Sequence, residues 1–268
     1  MVALPESATL TPAVDNTTIV NDLAGQNPLP VGTHHITWSL LDACGNVMQT
    51  CTQAVTVQYP PCGRPEDTVR YDGFTYHTVR VGCECWLQEN LRNTHYADGT
   101  DVPGSMVYGD DPANEEDYGR LYTWYSAVKV PEGDNTAVPA DSVAPTGGTY
   151  VKGICPDGWA LPTLSQYDDL WQNGYGTSGV KDKDTRYWLP GYAGTDPNSY
   201  FNARGAGYYD PATGRYYNLL GDTYFWTSDE NPDMYSGYCA VITHICPELM
   251  SQKQLKGRGQ SVRCVQVR

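Results

Sequence analysis

Three groups of residues in this chain carry side chains suited to chemistry. The first is its nine cysteines, at positions 44, 51, 62, 83, 85, 155, 239, 246 and 264. None belongs to a Cys-x-x-Cys pair and none has histidines at zinc-finger spacing, so a structural zinc site is not indicated. Their scatter through turn-rich sequence suits disulfides formed in an oxidising compartment. The second group is the run Asp229-Glu230-Asn231-Pro232-Asp233. Asp229, Glu230, Asn231 and Asp233 supply the carboxylate and amide oxygens that calcium prefers, although the same residues beside a proline also simply make turns. The acidic stretch from Asp110 to Asp117 has the same two readings. The third group is aromatic: Tyr208, Tyr209, Tyr216, Tyr217, Trp226, Tyr235 and Tyr238, with Asp229, Glu230 and Asn231 among them. Tyrosine joins a flat apolar face to a polar tip. Such rings can stack on a sugar while neighbouring acids and amides hold its hydroxyls; the alternative is ordinary packing in strands, which tyrosine favours.

Nucleophilic catalysis has less to build on. His77, His95 and His244 could pair with Cys83 or Cys246 as an imidazole and a thiol, but only adjacency in space would make such a pair work. No Gly-x-Ser-x-Gly elbow and no His-Glu-x-x-His helix occurs, and no residue is assigned a catalytic role.

Composition narrows the partners. The net charge is −14 over 268 residues, which disfavours nucleic acid and anionic membrane surfaces, both of which call for a basic face. No apolar run approaches the ~18 residues of a membrane span. Residues 1–25 lack the charged start and apolar middle of a signal peptide, so an exported protein would have its leader and any lipid anchor outside this sequence. The 21 tyrosines and 7 tryptophans against 3 phenylalanines suit a β-rich fold with aromatic surfaces.

The elements that must position these groups fall into two blocks. In residues 1–59, Thr33–Leu40 alternates apolar and polar like a strand, Asp42–Asn46 is a turn, and Gln49–Val57 is a second strand. The segment 60–67, opened by Pro60-Pro61, is a linker. From residue 68 onward, Asp72-Gly73 between alternating runs signals a hairpin. Gly82–Leu91 suggests a short helical turn burying Trp86, Leu87 and Leu91. Leu121, Trp124, Tyr125 and Val128 have the spacing of one helix face. Thr163-Leu164-Ser165-Gln166 is a capping box that opens a helix over 164–173, with Leu164, Tyr167, Leu170 and Trp171 on its buried side. Asp210–Gly214 is a hairpin turn between tyrosine-rich runs, and 221–228, 236–244 and 260–267 are strands.

Two resemblances follow from particular blocks. Residues 31–57, with "PVGTHHITW", "DACGN" and "CTQAVTV", resemble the closing half of a HYR-type immunoglobulin-like module whose earlier strand is incomplete here. Residues 68–268 resemble the domain family named for the major paralogous proteins of Fibrobacter succinogenes. The blocks that carry it are "YDGFTYHTVRVG", "CWLQENL", "YADGT", "YGRLYTWYSAV", "GICPDGWALPT", "YFWTSDE" and "SVRCVQV". The resemblance implies an α+β, C-type-lectin-like domain with a mainly antiparallel sheet and two to three short helices, preceded by a small all-β, partial-sandwich immunoglobulin-like module. It implies a disulfide between Cys155 and Cys264. Further expected pairs are Cys62 with Cys85, Cys44 with Cys51 and Cys239 with Cys246, leaving Cys83 odd and interchangeable with Cys85.

It also implies an exported bacterial surface protein, often a lipoprotein, connected with adhesion and surface appendages and without catalytic activity. The partners expected are an extracellular glycan or protein ligand and subunits of an appendage, with calcium as the one cofactor considered. The Asp229–Asp233 order differs from the calcium motifs of sugar-binding C-type lectins, and no Trp-Asn-Asp strand occurs. Two other readings stand beside this one: a structural or interaction subunit of a surface assembly, and a thiol-dependent enzyme on the lectin-like fold shared with formylglycine-generating enzymes.

Overall fold

A computed structural model describes residues 17–23, 32–57, 61–134, 142–143, 149–173, 177–191, 201–233 and 235–267. The chain divides between Pro60 and Pro61 into two compact units. In the first, strands β1 (Thr18–Asn21), β2 (Gly32–Leu41) and β3 (Val47–Val57) form one antiparallel sheet in that order. The β2–β3 register runs from Gly32 opposite Val57 to Leu41 opposite Val47. The turn at its end is held by Asp42, whose Oδ1 accepts from the N–H groups of Cys44 and Asn46. Ile36 is its one fully buried apolar side chain among the described residues.

In the second unit, β4 (Thr68–Tyr71) and β5 (Phe74–Val81) form the hairpin that Asp72-Gly73 foretells, with both turn residues at positive φ (47° and 79°), as a type I′ turn requires. β6 (Glu84–Leu87) follows. This corrects the helical turn expected there. Trp86 pairs with Val79 on one side and with Val265 on the other, so the ladders on both flanks use the backbone groups a helical turn would use internally. β7 (Ser105–Val107), helix α1 (Ala113–Tyr118), β8 (Arg120–Tyr122) and α2 (Trp124–Val128) come next. Here too the single expected helix face is broken. Residues 120–122 pair with β7, and the helix begins only after Thr123, whose Oγ1 accepts from Ser126 N–H. Short strands β9 (Ser142–Val143), β10 (Thr149–Tyr150) and β11 (Trp159–Ala160) precede α3 (Leu164–Asn173) and α4 (Thr177–Val180).

α3 has the expected bounds and the expected capping box: Gln166 N–H donates to Thr163 Oγ1 and Thr163 N–H donates to Gln166 Oε1. The rest is β: β12 (Ala206–Asp210), β13 (Arg215–Leu219), β14 (Asp222–Glu230), β15 (Ser236–Thr243), β16 (Met250–Leu255) and β17 (Val265–Gln266). β16 was not foreseen, because its run Met-Ser-Gln-Lys-Gln-Leu is mostly polar and looks like loop.

Two five-stranded sheets result, in the orders β11-β17-β6-β5-β4 and β13-β12-β14-β15-β16, antiparallel except where β12 meets β14 at Gly207 and Thr223. The segment before β17 joins them. Tyr209 and Trp226 donate to the carbonyls of Gly259 and Ser261, while Leu91 and Leu87 donate to those of Val262 and Cys264. The fold is therefore mostly β with a few short helices, its core built on fully buried Trp86, Trp124 and Trp226.

Cys155–Cys264 and Cys62–Cys85 are disulfides. The other two expected pairs are corrected. Cys44, Cys51, Cys239 and Cys246 are free thiols, as is Cys83. Cys44 sits in the turn beyond Leu41, whereas Cys51 lies opposite Trp38, three pairs into the ladder. That is ~10 Å along the strands, beyond the ~4.4–6.8 Å Cα separation a disulfide spans. Cys239 is buried mid-strand opposite Trp226, four residues before the end of β15 at Thr243, and Cys246 lies past that end.

Candidate functional site

The β12–β13 hairpin brings four of the expected aromatic residues together. Tyr208 stands opposite Tyr217, and Tyr209 opposite Tyr216. Because side chains alternate across the pleat, each pair occupies its own face, and all four rings are half-buried. On one face Tyr208 stacks on Tyr217 with centroids 5.5 Å apart and meets Tyr224 edge-on at 5.1 Å. The Arg258 guanidinium lies 4.9 Å over the Tyr208 ring. Tyr224 OH and Asn218 Nδ2 both donate to Asp222 Oδ2, at 3.0 and 2.6 Å. Burial, and then the Asp222 charge, hold the Tyr224 phenol well above its usual range.

On the other face Tyr209, Tyr216 and Tyr108 form a chain of rings at 5.0 and 5.2 Å. Tyr216 OH donates to Asp110; burial, and then this bond, raise its phenol strongly. Gly207 makes the approach possible. At φ +64°, a Cβ there would lie 2.2 Å from the Tyr217 carbonyl and 2.7 Å from the Tyr108 ring. Sequence reading missed Tyr108, Asp110, Asn218, Asp222, Tyr224 and Arg258 as members of these faces. Tyrosine pairs on either side of Asp210–Gly214 signal the hairpin, but nothing local signals the residues that pack on it.

The remaining expected site residues lie elsewhere. Trp226 is fully buried and donates to the Tyr122 carbonyl at 2.8 Å, so it is core and no part of a ligand face. From Tyr224, which meets Tyr208, five steps of β14, ~17 Å of strand, lead to Asp229, which opens the Asp229–Asp233 turn. In that turn one oxygen of each side chain has a partner. Asp229 Oδ2 accepts from Leu164 N–H at 2.7 Å and so caps α3. Glu230 pairs with Lys256, whose ammonium is fully buried and lies 4.3 Å from the Trp124 ring. Asp233 Oδ1 accepts from the N–H groups of Tyr235 and Ser236. Asn231 is buried, and its Oδ1 accepts from Asp233 N–H. These oxygens face five different partners: Leu164, Lys256, Tyr235, Ser236 and Asp233.

Among the described residues no three His, Cys, Asp or Glu side chains group as metal ligands. In the Asp110–Asp117 stretch, Asp110 serves Tyr216, Glu115 pairs with Arg120, and Asp117 takes Tyr187 OH and Arg204. Tyr235 is exposed, and Tyr238 is half-buried opposite Lys253.

The three histidines expected beside a thiol each make a polar bond. His77 Nδ1 meets Glu89 at 2.7 Å, His95 Nδ1 meets Asp72 at 3.0 Å, and His244 Nδ1 meets the Gly221 carbonyl at 2.9 Å. Cys239, expected to pair with Cys246, is a buried thiol pushed up to about 12 by desolvation. A thiol held protonated in this way is a poor nucleophile.

Fold and site together define a mostly β domain, tied by disulfides, that presents a ribbon of paired tyrosines. Residues 79–266 match the model of the Fibrobacter succinogenes major domain, and the chain belongs to that family. No curated protein matches it, and no solved structure does. Two disulfides agree with folding in an oxidising, extracellular setting, and no helix among the described residues is long and apolar enough to cross a membrane.

Proposed function

We propose that this is a non-catalytic, exported bacterial surface protein that binds an extracellular glycan through the β12–β13 tyrosines. In this reading the second unit is a C-type-lectin-like domain and the first an immunoglobulin-like spacer, set on or at the tip of a surface appendage. The observation that carries the reading is the double tyrosine ladder, Tyr208 on Tyr217 and Tyr209 on Tyr216. Each face offers apolar rings beside carboxylate and amide oxygens (Asp222 and Asn218, or Asp110), the pairing a sugar ring and its hydroxyls require. This reading needs no calcium, because the contacts it uses are ring faces and the oxygens beside them.

A glycan array with and without calcium tests this. The expected result is calcium-independent binding that falls at least tenfold in Tyr217→Ala and Tyr216→Ala. Binding unchanged in both variants, or no glycan bound at all, would sink the proposal.

A structural role within a surface assembly has its own support in the first unit. Among the described residues β3 is an edge strand of 11 residues with no charged side chain, the kind of edge that accepts another strand.

A further inference from the structure

A second polar feature of the domain lies apart from the tyrosine ladder. Five arginines among the described residues escape full exposure: Arg92, Arg120, Arg204, Arg258 and Arg263. Three of them pair with acids: Arg120 with Glu115, Arg204 with Asp117 and Asp182, and Arg258 with Asp210. Arg92 and Arg263 have no carboxylate within ion-pair distance among the described residues, and both line the same cleft, of about 400 Å³ including its open mouth.

Arg263 is its floor, at 1% exposure. Nε and NH2 donate to Asn90 Oδ1, NH1 to the Phe201 carbonyl and NH2 to the Asn202 carbonyl. A guanidinium has five N–H donors, so one NH1 proton is left over. Burial lowers this group to about 10, although Glu89 and Asp182 act from beyond ion-pair distance to raise it. Arg92 is half-buried and lies 4.8 Å over the Phe74 ring and 5.9 Å over the Tyr76 ring, which hold its guanidinium in place at the cleft. Two guanidinium groups that line one cleft with no carboxylate in ion-pair contact leave planar donor sets suited to the oxygens of an anion.

The rest of the cleft says what kind of anion. Glu89, Glu116 and Asp117 also line it, so a bare or multiply charged anion would be repelled. Glu89 is taken by His77, Asp117 by Tyr187 and Arg204, and Glu116 is exposed. No desolvated carboxylate remains to hold an ammonium. Neutral hydroxyls, however, can share oxygens that already have partners. We propose that this cleft binds an acidic sugar, the carboxylate of a uronic acid meeting Arg92 and Arg263 while its hydroxyls reach the acidic rim. This site uses no residue of the tyrosine ladder and stands without it.

The test is calorimetry or NMR titration of the full chain with an oligogalacturonate, its methyl ester and a neutral glucose oligomer. The acid should bind, with the ester and the neutral oligomer at least tenfold weaker. Arg92→Gln should weaken the acid by about tenfold, as loss of a charge-assisted bond does, whereas Tyr216→Ala should not change it. If Arg92→Gln fails to fold, Arg92→Lys, which keeps the charge but loses the planar fork, should show the same weakening. Equal binding of ester and acid, equal competition by acetate or sulfate, displacement by an amino acid, or no binding at about 10 mM would each overturn the proposal. Loss of glycan binding in the tyrosine variants with acid binding intact, or the reverse, tells the two sites apart.

Discussion

Asn90 Oδ1 accepts two hydrogen bonds from Arg263, from Nε at 3.1 Å and from NH2 at 2.7 Å, across 173 positions of sequence. The Asn90 amide nitrogen in turn donates to the Tyr118 carbonyl at 2.9 Å. One side chain thus joins the segment after β6, the end of α1 and the segment that leads into β17. Asn90→Ala strips two acceptor contacts from a buried cation and should cost ~3 kcal/mol or more, measured by urea unfolding. A loss below about 1 kcal/mol would mean that water replaces the amide without penalty.

The Cys155–Cys264 disulfide closes a loop of 109 residues, with Cα atoms 5.9 Å apart. The double variant Cys155→Ser with Cys264→Ser should lose ~2–5 kcal/mol, toward the upper end if chain entropy dominates. The Cys62–Cys85 bridge closes a loop of only 23 residues, so Cys62→Ser with Cys85→Ser should lose less. Comparison of the two midpoints in denaturant checks the order, and a larger loss at Cys62–Cys85 would contradict it.

Asp229 separates the capping and metal readings of its turn. As an acceptor for Leu164 N–H, it should contribute about 1 kcal/mol to α3, so Asp229→Ala should lower stability by that amount. Calcium or a chelator should leave the Tm of the native chain unchanged. A Tm that climbs with calcium in the native protein and stays flat in Asp229→Ala would restore the metal.

Alkaline pH should destabilise the protein. Desolvation, the largest cause in each case, raises Tyr76 and Tyr96 from 10.0 to about 12 and the Cys239 thiol from 9.0 to about 12. The folded protein therefore keeps protons that the unfolded chain releases. The stability tied to these groups is present below their unfolded values and is lost as pH rises toward 12. Lys181 acts in the opposite sense, since burial lowers it from 10.5 to about 8 and its burial penalty eases as pH rises through that interval. The fall should dominate above pH 10. Denaturant midpoints at pH 9 and 11, followed with tyrosinate absorbance, check it; a midpoint at pH 11 equal to that at pH 9 would refute it.

Much of the local structure was legible in the residues. The Asp72-Gly73 turn, the Thr163/Gln166 capping box, the Asp210–Gly214 turn and the alternation of 33–57 each act within a few positions, so spacing alone reveals them. Where reading failed, a distant partner had overridden local preference. Residues 84–87 became a strand because Val79 and Val265 flank Trp86, and polar 250–255 became one because β15 presents an open edge.

The cysteines show the same division. Composition points to an oxidising compartment, but the length of strand between Cys44 and Cys51, and between Cys239 and Cys246, keeps those thiols apart. The candidate sites divide in the same way. Paired tyrosines about a turn announce an aromatic ladder, whereas Tyr108, Asp110 and Asp222 join it only through packing. That Arg92 and Arg263, 171 positions apart in the chain, share one cleft without an acid of their own depends on how the strands close. Local geometry is written in neighbouring residues; the environment that gives a side chain its charge state, partners and exposure is made by residues far away in sequence.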